Sequence, residues 1–391
     1  MLVFPRLAFD NEPTQSVFSR MHPRYFVFPD LPTNPASFTA GLPTMPIHNR
    51  LTDSLEATAN QFSEFQPHWL LRSGHLQTVA GAVLRGKRYP YRAARRPVLL
   101  EDGDIGILHD DRPTDWQPTS PAALLIHGLA GSHASSYMIR IAGRLNDVGI
   151  RTFRIDMRGS GTGEGLSRKT YHGGCSHDVG SALRRVAEIC PAAPIHLVGF
   201  SIGGNAALKL MGETPDQLPS QLSSAVAINP PIDLGFCVER FRKGPARFYD
   251  GHVVKSLYRQ VCRSSRLIER TPHVVQRRMP RGQREFDSLY TAGVWGFDSV
   301  DQFYANTSSR QVISEVRIPS LLIASRDDPL VPVELFEQLV LPDSVALCLT
   351  DHGGHLGFIG QKGPDPDRRW MDWRIVDWIT AYEHGANAAA A

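Results

Sequence analysis

The sequence predicts an α/β fold in which a mostly parallel sheet is covered by helices on both faces. Three observations support this prediction. Short apolar runs alternate with helix-forming runs from about residue 97 onwards, and each apolar run ends in a loop rich in glycine or polar residues. The apolar runs are also continuous rather than alternating, which is typical of strands buried on both faces of a parallel sheet.

The strands and helices are predicted in a regular order. The first two strands come from "RPVLLEDGDIGILHDD", where an Asp-Gly turn joins two apolar runs. Later strands are predicted in "AALLIHGLAG", "IRTFRIDMRGSGTG", "PIHLVGF", "LSSAVAINPP", "IPSLLIASRDDPLVP" and "SVALCLTDHGGHLG". Helical spacing is present in "SSYMIRIAGRLNDVG", "CSHDVGSALRRVAEIC" and "GGNAALKLMGE", and "WRIVDWITAYEHG" is predicted as a closing amphipathic helix.

Two regions depart from this alternation. Residues 1–60 are rich in Pro, Asn, Thr and Ser and lack a helix or strand period, so we expect an irregular N-terminal arm or a strap packed on the domain. Residues 61–391 are predicted to form the domain itself. Within it, residues 232–310 are rich in Arg, Phe and Tyr and interrupt the strands. We predict a helical cap there, over the carboxyl ends of the strands, where open α/β sheets bind ligands.

The composition narrows the possible functions. The chain has 391 residues, 42% hydrophobic and 21% charged, which is typical of a globular protein with a sizeable core. A net charge of +3 gives little support to nucleic acid as a partner. The five cysteines form no Cys-x-x-Cys pair, so we expect a reducing, cytoplasmic location. No apolar run reaches about 18 residues, so no membrane-spanning helix is predicted, and the N-terminus lacks the apolar region of a secretory signal.

The stretch "GFSIGG" is the candidate nucleophile elbow. Ser201 stands between Gly199 and Gly203, after a strand-like run and before a helix-forming one. A strained strand-to-helix turn needs small residues two positions before and after the nucleophile, because larger side chains would collide with the adjoining elements. The alternative is that Ser201 is only a small residue in a tight turn. The flanking strand and helix favour the nucleophile.

A serine nucleophile needs a base within hydrogen-bond reach and an acid that orients this base. In the chain order that this kind of elbow requires, the acid follows a later strand and the histidine follows the last one. We therefore predict His355, in "GGHLGF", as the base, with His352 as the alternative. The loop "SRDDPLVP" offers Asp327 and Asp328, and its spacing favours Asp328 as the acid.

The negative charge that develops on a tetrahedral intermediate needs backbone donors. We predict the N–H groups of Ile202 and of Leu129, which lies in "IHGLAGS" where Gly128 lets the chain turn. His127 in the same loop is interpreted as a residue that stabilises the turn. "RGSGTGEG" lacks the Lys-Ser/Thr ending of a phosphate loop, and no metal-binding motif is present. We therefore expect neither a cofactor nor a metal.

With these residues in place, the chain resembles the α/β-hydrolase superfamily and, within it, the YheT-like hydrolases. The resemblance runs from about residue 65 to 380. It rests on "PHWLLRSGHLQTV", which is similar to the family's W-L-x-x-x-H-x-Q-T opening, and on "LEDGDIGILHD", "IHGLAGSHASSYM", "FSIGGN", "DDP" and "GGHLGF". The resemblance implies a Ser-Asp-His hydrolase of carboxylic esters, including lipid-like esters, with Ser201, Asp328 and His355 as its triad.

Three functional hypotheses follow. The leading one is a serine carboxylesterase that binds a small-molecule ester and forms an acyl-enzyme. The second is an acyltransferase that passes the same acyl group to an alcohol. The third is a non-catalytic binding protein with a hydrolase fold, but such proteins usually lose a triad member and none is missing here. The sequence indicates neither the acyl-chain length nor the oligomeric state.

Overall fold

The computed structural model describes Leu55 and residues 62–242, 244–270 and 279–390. The predicted arm over residues 1–60 therefore lies almost wholly outside the described residues, and its conformation stays a prediction. The five cysteines all lie inside them and are free thiols, three of them buried. None of the described helices is both long and apolar enough to cross a bilayer.

An eight-stranded sheet forms the centre of the described part. Its strands are β1 (Ala94–Leu99), β2 (Ile105–Asp111), β3 (Ala122–Ile126), β4 (Arg151–Asp156), β5 (Ile195–Phe200), β6 (Leu222–Ile228), β7 (Ser320–Ser325) and β8 (Val345–Thr350). They are arranged in the order β1-β2-β4-β3-β5-β6-β7-β8. β1 pairs antiparallel with β2 and β2 with β4, whereas all pairs from β4 to β8 are parallel. The predicted mostly parallel sheet is thus confirmed.

Helices cover both faces of this sheet. In chain order they are α1 (Gly74–Val83), α2 (Ser136–Asp147), α3 (Ser176–Ile189), α4 (Ile202–Glu213), α5 (Leu234–Phe241), α6 (Arg247–Arg263), α7 (Ser265–Arg270), α8 (Gln283–Phe286), α9 (Val300–Thr307), α10 (Glu334–Glu337) and α11 (Trp370–Ala390). A π-helical turn, Asp287–Ala292, continues α8. The last of these helices begins at the tryptophan-rich segment that the sequence predicted as a closing helix.

The central strands are buried on both faces because successive side chains of a strand point to opposite sides of a sheet. On β3, Leu124 belongs to the cluster that contains Val179 of α3. The next residue, Leu125, belongs to the opposite cluster, with Met138 of α2 and Trp378 of α11. Burial on both faces explains why these strands read as continuous apolar runs in the sequence.

The segment between β6 and β7 is largely helical and contains α5 to α9. Part of it has a small core of its own, in which Val254, Leu257 and Phe286 pack together. This core also contacts Leu129, in the loop that follows β3. The cap boundaries given by the sequence, 232–310, fall inside this segment and stay a prediction.

Candidate active site

Ser201 occupies a strained turn between β5 and α4. Its backbone has φ 52° and ψ −122°, in the left-handed half of conformational space that a non-glycine residue rarely adopts. The flanking glycines are required by close approach of the backbone. A Cβ atom on Gly199 would lie 2.6 Å from the carbonyl oxygen of Gly203, and one on Gly203 would lie 2.6 Å from the carbonyl oxygen of His127. The turn therefore holds the serine hydroxyl out at the carboxyl end of β5.

We expect Gly203→Ala to destabilise the fold, because its methyl group would collide with backbone atoms that cannot rotate away. The expected loss is about 1–3 kcal/mol in the free energy of unfolding, as for other overpacked sites, measured by denaturant or thermal unfolding. Gly251→Ala in α6 is the matched control, since nothing lies within 4 Å of its Cβ position. Equal stability of the two variants would contradict the steric argument.

Three side chains from three different loops form a hydrogen-bonded line at this turn. Ser201 Oγ lies 2.8 Å from His355 Nε2, and His355 Nδ1 lies 2.8 Å from Asp328 Oδ2. The other oxygen of Asp328 accepts the N–H groups of Leu330 (2.7 Å) and Val331 (3.0 Å). The carboxylate is thereby fixed in a buried position with one oxygen left for the imidazole. This arrangement can take a proton from the serine hydroxyl.

The alternative acid and base are held apart from this line. Asp327 Oδ1 accepts the N–H of Gly354 at 2.8 Å, and its Oδ2 lies 3.3 Å from His352 Nδ1. The side chain of His352 is 43% exposed, against 13% for His355. Asp327 thus stabilises the glycine-rich loop through the Gly354 N–H, whereas Asp328 contacts the His355 imidazole, which in turn contacts Ser201.

The peptide group of Gly128, beside the elbow, is fixed from three directions. Its N–H donates to the hydroxyl of Tyr137 at 2.9 Å. Its carbonyl accepts the hydroxyl of Tyr171 at 2.9 Å and Nδ1–H of His127 at 2.7 Å. The other ring nitrogen of His127 accepts the N–H of Met157, and burial lowers the pKa of this imidazole, so the ring is neutral. Tyr137 lies in the quoted motif "IHGLAGSHASSYM", although the sequence alone gave it no role. Tyr171 was missed because its contact joins segments 43 residues apart.

The two predicted oxyanion donors lie on either side of the serine. Ile202 is the first residue of α4, where N–H groups lack a partner within the helix. Leu129 follows Gly128, and a Cβ atom on Gly128 would lie 3.2 Å from Ser201 Cβ. Neither the Leu129 nor the Ile202 amide donates to an acceptor in the part of the chain that the structure describes. Both residues line the cavity that contains Ser201, and their role as oxyanion donors stays a prediction.

Helix α1 supports the histidine loop through two polar side chains that sequence reasoning left without a role. The hydroxyl of Thr78 accepts the backbone N–H of His355 at 2.8 Å. The amide of Gln77 donates to the carbonyl of Ile359 at 3.0 Å and accepts its N–H at 2.8 Å. Both residues belong to the "HLQT" part of the quoted opening motif. The motif was therefore the sequence signal that could have pointed to Gln77 and Thr78. Their hydrogen bonds to the histidine loop explain why these residue types stand there.

We expect Thr78→Val to lower kcat for ester hydrolysis by about tenfold with little change in KM, because a small displacement of a catalytic group costs rate rather than binding. Valine keeps the shape of threonine but offers no acceptor to the His355 N–H. Thr78→Ser restores the acceptor and should recover most of the activity. If serine does no better than valine, packing rather than the hydrogen bond is what matters at this position.

A cavity of about 420 Å³ opens at Ser201. Its floor is formed by Ser201, His355 and the Gly128 loop, and its walls include α1, residues 171–173 and the segment between β6 and β7. The apolar wall residues of that segment are Leu234, Val238, Phe241, Val253, Leu257, Phe286 and Phe303. A hydrocarbon group attached to the reacting carbonyl would therefore be surrounded by apolar side chains.

Burial strongly shifts the pKa values of several groups in the cavity wall, and two of these shifts concern an imidazole and a carboxyl group. Burial lowers the pKa of the His172 imidazole to about 3. Its Nδ1 accepts the N–H of Gly174, so the neutral ring carries its proton on Nε2. Burial also raises the pKa of Asp287 to about 6, although Thr291 and Tyr304 donate hydroxyl groups to it. Near neutral pH the His172 imidazole in the cavity wall is thus uncharged.

The described residues contain one group of side chains with the chemistry of metal ligands, formed by His109, His133 and Asp156. Their donor atoms lie within 4.8 Å of one another. However, the two imidazoles are stacked, with ring centroids 3.5 Å apart and planes inclined by 8°. Since imidazole binds metals in its ring plane, an ion lying in one plane would lie well out of the other. We interpret the group as a hydrogen-bond network centred on Asp156, which also accepts the N–H of Thr162.

Comparisons with known proteins agree with this architecture. A family model described as the alpha/beta hydrolase fold matches residues 121–361. "Putative esterase YheT" of Escherichia coli is 29% identical over 83% of this chain and 96% of its own length. The monoacylglycerol lipase of Saccharomyces cerevisiae is 25% identical over 67% of this chain and 59% of its own. Human phospholipase ABHD3 is 26% identical over 68% of this chain and 66% of its own.

The alignments with these three relatives cover 67–83% of this chain. The family model alone spans β3 to the histidine loop. The fold class and the resemblance predicted from the sequence are both confirmed. The chain belongs to the α/β-hydrolase fold family and resembles its YheT-like members.

Proposed function

We propose that this protein is a serine hydrolase that cleaves carboxylic esters carrying an apolar acyl group. The observation that carries the proposal is the continuous line from Ser201 Oγ through the His355 imidazole to the buried Asp328 carboxylate. The apolar cavity above it supports the choice of an acyl substrate. The names of the relatives, an esterase, a lipase and a phospholipase, support an ester bond as the target.

In the proposed mechanism, Ser201 Oγ attacks the ester carbonyl while His355 Nε2 takes its proton. The negative charge that develops on the carbonyl oxygen is stabilised by the N–H groups of Leu129 and Ile202. The imidazolium then gives its proton to the departing alcohol, and the acyl group remains on Ser201. Water, deprotonated by the same imidazole, attacks this acyl-enzyme and releases the carboxylic acid. Asp328 holds the imidazole in the required tautomer throughout and stabilises its charged form.

The proposal is tested with two independent measurements on the full chain. A fluorophosphonate probe should label the folded protein on Ser201, which reports the activated serine without requiring the natural substrate. A series of p-nitrophenyl esters should show kcat/KM rising by about fourfold per added methylene until the cavity is filled, since each buried methylene contributes about 0.8 kcal/mol. Absence of labelling together with absence of turnover on every ester would favour a binding protein instead.

Product analysis separates hydrolysis from acyl transfer. In the presence of an added alcohol, a hydrolase releases mainly free carboxylic acid, because water attacks the acyl-enzyme. A new ester as the main product would instead identify an acyltransferase built on the same acyl-enzyme. Ser201 is the nucleophile in both cases, so the measurement distinguishes only whether water or the alcohol accepts the acyl group.

A further inference from the structure

We propose that the exposed face of α1, together with the basic segment that follows it, docks on the surface of a bilayer containing anionic phospholipids. The α1 apolar face is defined by Leu76, Val79 and Val83, and the basic segment by residues 85–96. The surface binding itself does not depend on the proposed ester hydrolysis.

Helix α1 exposes apolar residues and buries small or polar ones. An ordinary surface helix does the opposite, burying its apolar stripe and exposing its polar one. The residues that α1 buries are small or polar: Gly74, Gln77, Thr78 and Gly81. The residues of the α1 apolar face point the other way and are 50%, 46% and 67% exposed. Because the buried side of the helix supports the histidine loop, packing within the described part of the chain does not account for apolar residues on the outer side.

Further apolar side chains extend this face at both of its ends. Trp69 and Leu70 precede α1 and are 66% and 56% exposed, and Leu84 follows it and is 52% exposed. On the neighbouring α6, Phe248 is 74% exposed. It lies against Tyr249, whose ring stacks in parallel on His75 of α1 and whose hydroxyl lies 3.0 Å from His75 Nδ1. Several exposed apolar side chains in one segment and on the helix beside it favour an interaction site.

The chain segment that carries the α1 apolar face has charges of one sign. Residues 65–100 contain no Asp or Glu, and their cations are Arg72, Arg85, Lys87, Arg88, Arg92, Arg95 and Arg96. Among the described residues, only two of these cations form ion pairs, Lys87 with Asp147 and Arg96 with Asp110. Arg85, Arg88, Arg92 and Arg95 are exposed. An exposed apolar helix face flanked by cations is the pattern by which proteins bind in the plane of an anionic membrane surface.

The same charges argue against a second copy of the chain as the partner. A symmetric dimer built on this face would place the same surface patch of both chains in contact. The basic segments would then lie close together, and juxtaposed like charges oppose association. Phosphate and carboxylate headgroups complement the basic segment instead, while the lipid chains accept the apolar residues. A bilayer satisfies both parts of the surface at once.

The position of α1 connects this surface to the cavity. Thr78, Gly81 and Ala82 of α1 are part of the cavity wall. A bilayer seated on the opposite side of the same helix would therefore lie beside the cavity. If the proposed function is correct, ester substrates would be drawn from the lipid phase rather than from bulk water, and this last step rests on that function.

The docking surface is tested by flotation of the full chain with phosphatidylcholine vesicles, with and without phosphatidylserine. We expect binding to the phosphatidylserine vesicles that weakens as salt is added. The double variants Leu76→Ser/Val83→Ser and Arg85→Gln/Arg88→Gln should each bind about tenfold more weakly. Val340→Ser and Arg317→Gln are the matched controls, since Val340 and the Arg317 side chain are 86% and 63% exposed elsewhere, and both should bind like the wild type.

Tryptophan quenching by brominated lipid gives a second readout. All six tryptophans are described. Trp69 is 66% exposed, whereas the other five are buried or half-buried. Brominated vesicles should therefore quench the wild type and quench Trp69→Phe much less. The proposal is overturned if the wild type does not float with phosphatidylserine vesicles, or if the double variants float as well as it does. It is equally overturned if Leu76→Ser/Val83→Ser alters only the size of the protein in gel filtration.

Two further measurements separate vesicle binding from folding and from ester hydrolysis. The surface variants should retain hydrolysis of a soluble ester, which shows that they fold. Ser201→Ala should float like the wild type, because the hydroxyl is no part of the surface. Failure of vesicle binding and failure of ester hydrolysis are thus recorded separately, and neither result can be mistaken for the other.

Discussion

Ser201→Ala is expected to lower kcat for ester hydrolysis on the order of 10⁶-fold, because the residues of such a triad act as a unit and removal of the nucleophile alone abolishes covalent catalysis. The methyl group left behind fits the site, since the hydroxyl makes its hydrogen bond to His355 alone among the described side chains. The fold should be retained, and the thermal midpoint should stay close to that of the wild type. Turnover of a p-nitrophenyl ester measures the effect.

The same variant should also lose fluorophosphonate labelling. Ser314→Ala is a suitable control, since Ser314 lies far along the chain on the exposed turn before β7 and bonds only its neighbour Glu315 among the described residues. The control should keep both labelling and turnover. Full activity of Ser201→Ala would remove this serine from the mechanism and with it the proposed acyl-enzyme.

Asp328→Asn is expected to lower kcat by about 10⁴-fold, the loss seen when an asparagine replaces the orienting acid of a serine triad. The asparagine can turn its NH₂ group toward His355 Nδ1, which favours the tautomer whose Nε2 already carries a proton. That imidazole cannot accept the proton of Ser201. The measurement is kcat for a soluble ester in the pH range where the wild type is active.

Asp327→Asn provides a control one residue away. An asparagine at position 327 still offers a carbonyl oxygen to the N–H of Gly354, which the aspartate binds at 2.8 Å. We therefore expect it to keep activity within about a few-fold of the wild type, as removal of a partly exposed charge usually costs little. The reverse ranking of the two variants would transfer the role of the acid to Asp327.

Much of the sheet and the order of the site could be predicted because both depend on local chain patterns. The strands are continuous apolar runs, since each is buried on both faces, and the loops at their carboxyl ends meet along one edge. Ser201, Asp328 and His355 each follow such a run. The adjacent aspartates could not be separated with certainty from the sequence, because their difference lies in the turn at Leu330 and Val331, whose N–H groups fix only one of them.

Other parts of the site have no local pattern. Tyr171 reaches Gly128 from a segment 43 residues away. Helix α1 breaks the usual periodicity, because hydrogen-bonding residues fill its buried side. The shape of the cavity depends on how α5 to α9 pack, and their sequence indicates helices without specifying which side chains face Ser201. Such features come from tertiary contacts that a single sequence does not encode in its spacing.

The fixation of the Gly128 peptide has a consequence for how such an enzyme could change over time. The groups that fix it, Tyr137, Tyr171 and His127, all come from the chain before the elbow, whereas most apolar walls of the cavity come from the segment between β6 and β7. Substitutions in that later segment can therefore reshape the pocket without moving the amide of Leu129. The residues that fix the Gly128 peptide and the residues that shape the pocket are thus encoded by separate parts of the gene. Selection can therefore change the substrate range while conserving the geometry at Gly128.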